Sequence, residues 1–208
     1  MLHKLHYISQ GATPNEHIKN IESVLNAGIK LVQLRLKNIS EEMYIDLGYK
    51  AKELCNKHKA VFIINDNVNV ARACNADAVH LGLNDMSVLE ARELFPNKII
   101  GGTANTFEHI KQRCDEKVDY IGLGPFQFTS TKEKLSPILG IEGYQNSIQK
   151  MKNENLSTPI YAIGGIEFKD IESIINTGVY GIAVSGLLTH SNNKENLVKE
   201  INKILYHA

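Results

Sequence analysis

Eight short apolar runs, rich in β-branched residues, recur along the chain at fairly even intervals: LHYIS (5–9), LVQLR (31–35), VFIIN (61–65), AVHLG (78–82), IIGGT (99–103), YIGLG (120–124), PIYAIGG (159–165) and GIAVSG (181–186). They are near-continuous rather than alternating, the pattern of strands covered on both faces, as in a parallel sheet. Stretches of helical periodicity lie between them. NEHIKNIESVLNAG sets Ile18, Ile21, Val24 and Leu25 on one face and ends at Gly28, a C-cap candidate. SEEMYIDLGYKAKELCNKH opens on Ser40 as N-cap, with Glu42 and Asp46 early in the helix. Further helical stretches follow Asp85 (MSVLEARELF), Asn105 (TFEHIKQRC) and Glu167 (FKDIESIINTG), and NKENLVKEINKIL closes the chain. This alternation predicts an α/β fold, a compact single-domain (β/α)8 TIM barrel over residues 1–208. An open doubly wound sheet is the alternative, though no GxGxxG follows the first strand to hold a dinucleotide. One connection is long, from Thr129 to about Tyr144, and connections of that length are often functional lids.

Charge narrows the partners. Lys plus Arg is 23 and Asp plus Glu is 23, so no basic stripe points to nucleic acid and no acidic tail to a solvating segment. Any affinity for phosphate must come from a few local cations. The opening MLHKLHYISQ has too short an apolar run for a signal peptide, and no run approaches the length of a membrane helix. Cys55, Cys74 and Cys114 share no metal-like spacing; they read as buried thiols in helices, which fits a reducing cytoplasm.

In a barrel of this kind the chemistry sits at the C-terminal ends of the strands. Those ends carry Gln33, Arg35 and Lys37 after strand 2; Asn65, Asp66 and Asn67 after strand 3; Asp85 beyond strand 4; and Thr103 and Asn105 at strand 5. GLGPFQFTSTKEK follows strand 6 with Thr129, Ser130, Thr131 and Lys132; Gly164-Gly165 follows strand 7 and Ser185-Gly186 strand 8. Two carboxylates beside several cations suit Mg²⁺, which takes oxygen ligands and shares them with substrate phosphates. The glycines suit a smaller phosphate held by backbone N–H groups. Each residue also has a plainer reading. Arg35 and Lys37 can be a solvated rim, Asp66 and Asp85 helix caps, Gly164-Gly165 a tight turn, His80 a satisfied core histidine, and the hydroxyls before Lys132 an ordinary turn.

The ordered set VQLRLK, INDNVNVA, VHLGLND, DYIGLGPFQFTSTK and AIGGI resembles the motifs of the thiamine phosphate synthase family over residues 5 to 190. The resemblance implies a TIM-barrel transferase that joins 4-amino-2-methyl-5-pyrimidinylmethyl diphosphate to a thiazole phosphate, with Mg²⁺, releasing pyrophosphate. It implies that Asp66 and Asp85 hold the metal and that Arg35, Lys37, Asn65 and Lys132 meet the pyrophosphate. Gln33 would lie near the pyrimidine, and Thr103, where the family usually has serine, beside the diphosphate. Thr129 and Thr131 would face the thiazole and its phosphate, with Gly165, Val184 and Ser185 forming the phosphate cradle. Lys132, Arg35 and Thr103 are the expected catalytic contacts. Small-molecule substrates are the expected partners, with self-association left open and no role for nucleic acid or membrane.

Four positions, in three motifs, depart from the family's usual pattern. Asp-Asp after strand 3 is Asp66-Asn67 here, Gln-Glu-Asp beyond strand 4 is Leu83-Asn84-Asp85, and serine is Thr103. The first is expected to be tolerated, the last keeps the hydroxyl, and the middle one alters the rim near the pyrimidine. The residue types suit the chemistry. An amino-substituted pyrimidine stabilises a methylene cation, so departure of pyrophosphate is the hard step, and fixed cations ease it. The thiazole nitrogen carries no proton and needs no general base. EKLSPILGIEGY (133–144) is expected to close over the site as a loop. Two rival functions are a related thiazole tautomerase, which uses a histidine where this chain has Asn105, and a non-catalytic phosphate-binding barrel, which would lack the paired carboxylates.

Overall fold

A computed structural model describes residues 2–128 and 137–207. The expected strands form at β1 (Leu5–Ile8), β2 (Leu31–Leu34), β3 (Val61–Asn65), β4 (Ala78–Leu81), β5 (Ile99–Ala104), β6 (Tyr120–Leu123), β7 (Ile160–Ile163) and β8 (Gly181–Val184). They pair in sequence order, all parallel, and β8 closes on β1 through Leu5↔Ile182 and Tyr7↔Val184. Closure removes the open doubly wound alternative and leaves no sheet edge.

The two-residue period of each strand divides the core. Val32 and Leu34 face the helical layer with Val79 and Leu81, whereas Leu31, Ile63, Ala78, Tyr120, Tyr161 and Ala183 fill the barrel interior. Both faces are therefore buried, which is why the strands read as unbroken apolar runs. Helices α1 (Pro14–Asn26), α2 (Glu41–Lys57), α3 (Val68–Ala73), α4 (Val88–Leu94) and α5 (Phe107–Asp115) follow the first five strands. Thr13, Ser40, Asn67, Ser87 and Thr106 cap them in turn, each side chain accepting a first-turn N–H. Gly28, with φ +101°, ends α1 as its sequence position predicts.

After β6 the structure corrects the expectation of one long loop. Gly140–Asn153 is helix α6, so residues 140–144 of EKLSPILGIEGY belong to a packed helix and not to a closing loop. Tyr144, Ser147, Ile148 and Met151 are its buried face, an i, i+3, i+4, i+7 stripe. Gly140 and Gly143 weaken its first turn and Leu139 supplies no side-chain cap, so the usual start signal is missing. A 3-10 turn (Phe168–Asp170), α7 (Ile171–Ile175), α8 (Gly186–Thr189) and α9 (Lys194–His207) complete the outer layer. Among the described residues no helix is long and apolar enough to cross a membrane. The three cysteines are free, and burial pushes the Cys55 thiol up to about 12 and Cys74 to about 11, far from a reactive thiolate.

Candidate active site

Asp66 is the first residue beyond β3 and adopts φ +66°, the left-handed region that Asp and Asn tolerate better than most residues. Its amide donates to the His80 carbonyl at 2.8 Å, which fixes the end of β3 against β4. The cap of α3 is the next residue: Asn67 Oδ1 accepts from Val70 N at 3.0 Å. The Asp66 carboxylate is thus not used as a helix cap, and it pairs with Lys37 Nζ. Asp85 follows the same logic. Ser87 caps α4 in a reciprocal capping box with Glu90, while Asp85 Oδ2 accepts from Gly82 N at 2.6 Å. The capping readings of both aspartates give way to a rim reading.

The two carboxyls meet. Burial, a hydrogen bond shared with Asp66 and the Asp66 charge push the Asp85 carboxyl above the usual carboxylate range, only partly offset by the Gly82 N–H and Lys37. An all-oxygen pair carrying like charges beside one lysine is a donor set that a divalent cation would relieve. The raised Asp85 value has a stability consequence. A carboxyl raised on folding costs nothing while it is protonated in both states, and the cost grows as pH rises through the folded value. Asp85→Asn is therefore expected to raise Tm at pH 7, with the gain shrinking toward pH 4. Thermal melts of the two proteins across that range check it, and a lower Tm for the variant at pH 7 would contradict it.

The rest of the expected diphosphate rim converges on the same end of the barrel. Gln33 and Asn65 project inward from neighbouring strands, and Gln33 Nε2 donates to Asn65 Oδ1 at 2.6 Å, leaving Gln33 Oε1 buried with no hydrogen-bond partner among the described residues. Arg35 lies one residue past β2, its amide donating to Ser9 Oγ at 3.0 Å. Ser9 Oγ also lies 2.8 Å from His17 Nδ1, so the loop after β1 supports the cation. Burial, with the Arg35 charge nearby, holds His17 below its usual range. Thr103, within β5, has its hydroxyl 3.0 Å from His80 Nε2. Asn105 is buried, its side-chain Nδ2 donating to the Gly124 carbonyl at 2.5 Å and binding the ends of β5 and β6 together. Thr129, Thr131 and Lys132 lie outside the described residues.

At β7 and β8 the geometry gives the paired glycines a packing role. Gly164 and Gly165 have φ +99° and +70°, the left-handed side that favours glycine. A Cβ on Gly165 would lie 2.5 Å from the Phe128 carbonyl oxygen and one on Gly164 2.8 Å from Pro125 Cβ. These glycines are needed first by the turn packed on residues 125–128, so a side chain there would disturb that loop as well as any phosphate. Gln127 Nε2 reinforces the contact, donating to Gly165 O and Asp170 Oδ2 at 3.1 and 2.6 Å. After β8, Val184 and Ser185 lead into the short helix α8, the place where barrels of this architecture commonly bind a phosphate. Ser185 Oγ donates to Gln10 Oε1 at 3.1 Å. Gln10 and Arg113 carry no strand-end signal in the sequence: Gln10 follows a strand that ends without charge, and Arg113, whose Nε donates to the Thr103 carbonyl at 3.2 Å, sits inside a helix.

Residues 5–188 match the sequence profile of the family described as thiamine monophosphate synthase. The chain is 53% identical over 206 residues to the thiamine-phosphate synthase of Flavobacterium psychrophilum, covering 99% of this chain and 100% of that one. It is 51% identical over 207 residues to the enzyme of the same name from Flavobacterium johnsoniae, covering 99% and 98%. The solved structure of thiamine phosphate pyrophosphorylase from Pyrococcus furiosus superposes with a TM-score of 0.84 at 28% identity, over 98% of this chain and 96% of that one. The chain belongs to the thiamine monophosphate synthase family and is an enzyme, a transferase of thiamine biosynthesis.

Proposed function

We propose that the chain joins 4-amino-2-methyl-5-pyrimidinylmethyl diphosphate to 4-methyl-5-(2-phosphoethyl)thiazole, or its carboxylated form, giving thiamine phosphate and pyrophosphate. The observation that carries this reading is the Asp66–Asp85 pair beside Lys37, built from adjacent strands and relieved of capping duty by Asn67 and Ser87. Asp66 and Asp85 are the residues that would hold Mg²⁺. When bound, Mg²⁺ neutralises charge on the departing pyrophosphate. Arg35 and Lys37 then face the same leaving group from β2, and Thr103 contributes a hydroxyl from β5. Gln33, with its unpartnered buried carbonyl oxygen, suits the amino edge of the pyrimidine. The turn at Gly164-Gly165 and the start of α8 suit the thiazole phosphate, which brings the attacking nitrogen toward the methylene. Holding both substrates at near-attack distance contributes about 7 kcal/mol or more in favourable cases.

A tautomerase reading is not supported. The residue at the relevant loop position, Asn105, is an amide committed to the Gly124 carbonyl, not a base. Incubation with both substrates and Mg²⁺, followed by mass detection of thiamine phosphate, tests the reaction directly, and absence of product under those conditions refutes it. The metal assignment has its own check. Asp66→Asn is expected to lower kcat/KM at least about tenfold, or about 1.4 kcal/mol, and to weaken Mg²⁺–pyrophosphate binding. Calorimetry showing unaltered binding in both Asp66→Asn and Asp85→Asn would remove the metal from these residues.

A further inference from the structure

Thr103 is held from two sides. Its carbonyl accepts from Nε of the buried Arg113 at 3.2 Å, and Arg113 Nη2 also donates to the Gly82 carbonyl at 2.8 Å. Its side chain heads a line of polar groups that runs down into the barrel. Thr103 Oγ1 lies 3.0 Å from His80 Nε2, and His80 Nδ1 lies 3.1 Å from the Tyr120 hydroxyl. The His80 ring stacks on that of Tyr120, with centroids 5.5 Å apart and an angle of 29°. Two small residues make the line possible. A Cβ on Gly101 would lie 2.1 Å from Tyr120 Cζ, and one on Gly122 would lie 3.2 Å from His80 Cε1. A Thr-His-Tyr array that displaces side chains from two neighbouring strand positions is a costly way to fill a core that apolar residues fill elsewhere in the same barrel.

The distances fit either direction of hydrogen bonding, because each ring nitrogen donates or accepts according to the tautomer, and the two directions present different faces of Thr103 to the rim. Tyr120 is fully buried and burial keeps its hydroxyl protonated, so it has one hydrogen to donate. Donated to His80 Nδ1, that hydrogen leaves the ring's own hydrogen on Nε2, which donates to Thr103 Oγ1. The Thr103 hydrogen is then free to point at the rim. A diphosphate oxygen is an acceptor only, so it needs that hydrogen. The opposite order would consume the Thr103 hydrogen on the histidine and present lone pairs to an anion.

We propose that His80 and Tyr120 are positioning residues that set the direction of the Thr103 hydroxyl, so that it donates to the substrate diphosphate. The inference rests on the proposed contact between Thr103 and that diphosphate. His80→Leu and Thr103→Val are each expected to slow single-turnover formation of thiamine phosphate roughly tenfold, acting on kcat more than on KM. Because one acts through the other, the double variant should be no slower than Thr103→Val alone. Tyr120→Phe, which removes one oxygen, should give a smaller loss that also vanishes in the Thr103→Val background. His80→Gln, which keeps a donor near the Nε2 position, should recover most of the rate. In the unliganded wild type, ¹⁵N-edited NMR of the histidine rings should find His80 with its hydrogen on Nε2. A normal rate for Thr103→Val would refute the diphosphate contact and the proposal with it. A slow Thr103→Val with a full further tenfold loss on adding His80→Leu would overturn the positioning role alone, as would a His80 hydrogen on Nδ1.

Discussion

Lys132→Ala is expected to lower kcat by on the order of 100-fold while leaving Tm unchanged, and Lys132→Arg to recover only part of the loss. In the proposed reaction pyrophosphate leaves with several negative charges, yet Lys37 is already shared with Asp66. Among the described residues Arg35 makes no ion pair and is the other cation expected at this rim. Lys132 lies outside the described residues; its place in FTSTKEK, in the connection that follows β6, is the sequence ground for expecting it at the rim. An ammonium on the leaving oxygen interacts more strongly as charge builds there, and such an interaction acts on kcat. A planar guanidinium does not reproduce a compact point charge, hence the partial rescue. Single-turnover rates and thermal melts of the three proteins decide the matter; a near-normal rate for Lys132→Ala would make FTSTKEK a polar turn.

Wild-type stability should fall on acidification from pH 6.5, and His6→Leu should flatten that fall by about 1.6 kcal/mol between pH 6.5 and 5, the slope approaching about 1.4 kcal/mol per pH unit at the acid end. His6 sits in the barrel interior with its ring edge-on to Tyr120 and Tyr161, and its nitrogens find no well-formed hydrogen bond among the described residues, only a loose approach to Gln33. Burial, reinforced by nearby His80, lowers its pKa to about 3. The sign follows from which state binds the proton. Above pH 6.5 neither state is charged. Below it the unfolded chain takes up a proton that the folded chain refuses until about pH 3, so stability is lost throughout that window. His3 and His17, also lowered by burial, are present in both proteins and cancel. Denaturant unfolding at a series of pH values measures the difference, and parallel curves for the two proteins would refute it.

The barrel was legible because its strands are buried on both faces and because four of the helices that follow them open on a Thr or Ser cap. Where those signals fail, so did the reading: α6 begins on Leu139 with glycines in its first turn, and the six-residue α3 is too short to show a period. The rim residues were legible from topology alone, since strand ends can be read along the chain. Their pairings were not. Gln33 meets Asn65 across 32 residues, Thr103 meets His80 across 23, and Ser185 meets Gln10 across 175, contacts that no local pattern encodes. The aspartates show the difference most clearly. Sequence alone left each poised between cap and ligand, and the decision came from neighbours, Asn67 and Ser87, whose side chains reach back to the helix instead.

That division of labour separates two kinds of change in this chain. Asn67 and Ser87 answer for the start of their helices, while Asp66 and Asp85, one and two residues earlier, answer for the rim. Under the proposed assignment, drift at the aspartates would silence or retune the reaction while leaving the helix caps in place, and drift at the caps would weaken the scaffold while leaving the proposed ligands in kind. A silenced copy would persist as a folded barrel with its anion-facing ends intact. Such a copy would be a natural starting point for a new activity on a related phosphorylated substrate, and in the laboratory it would be a folded barrel in which binding can be measured apart from the reaction.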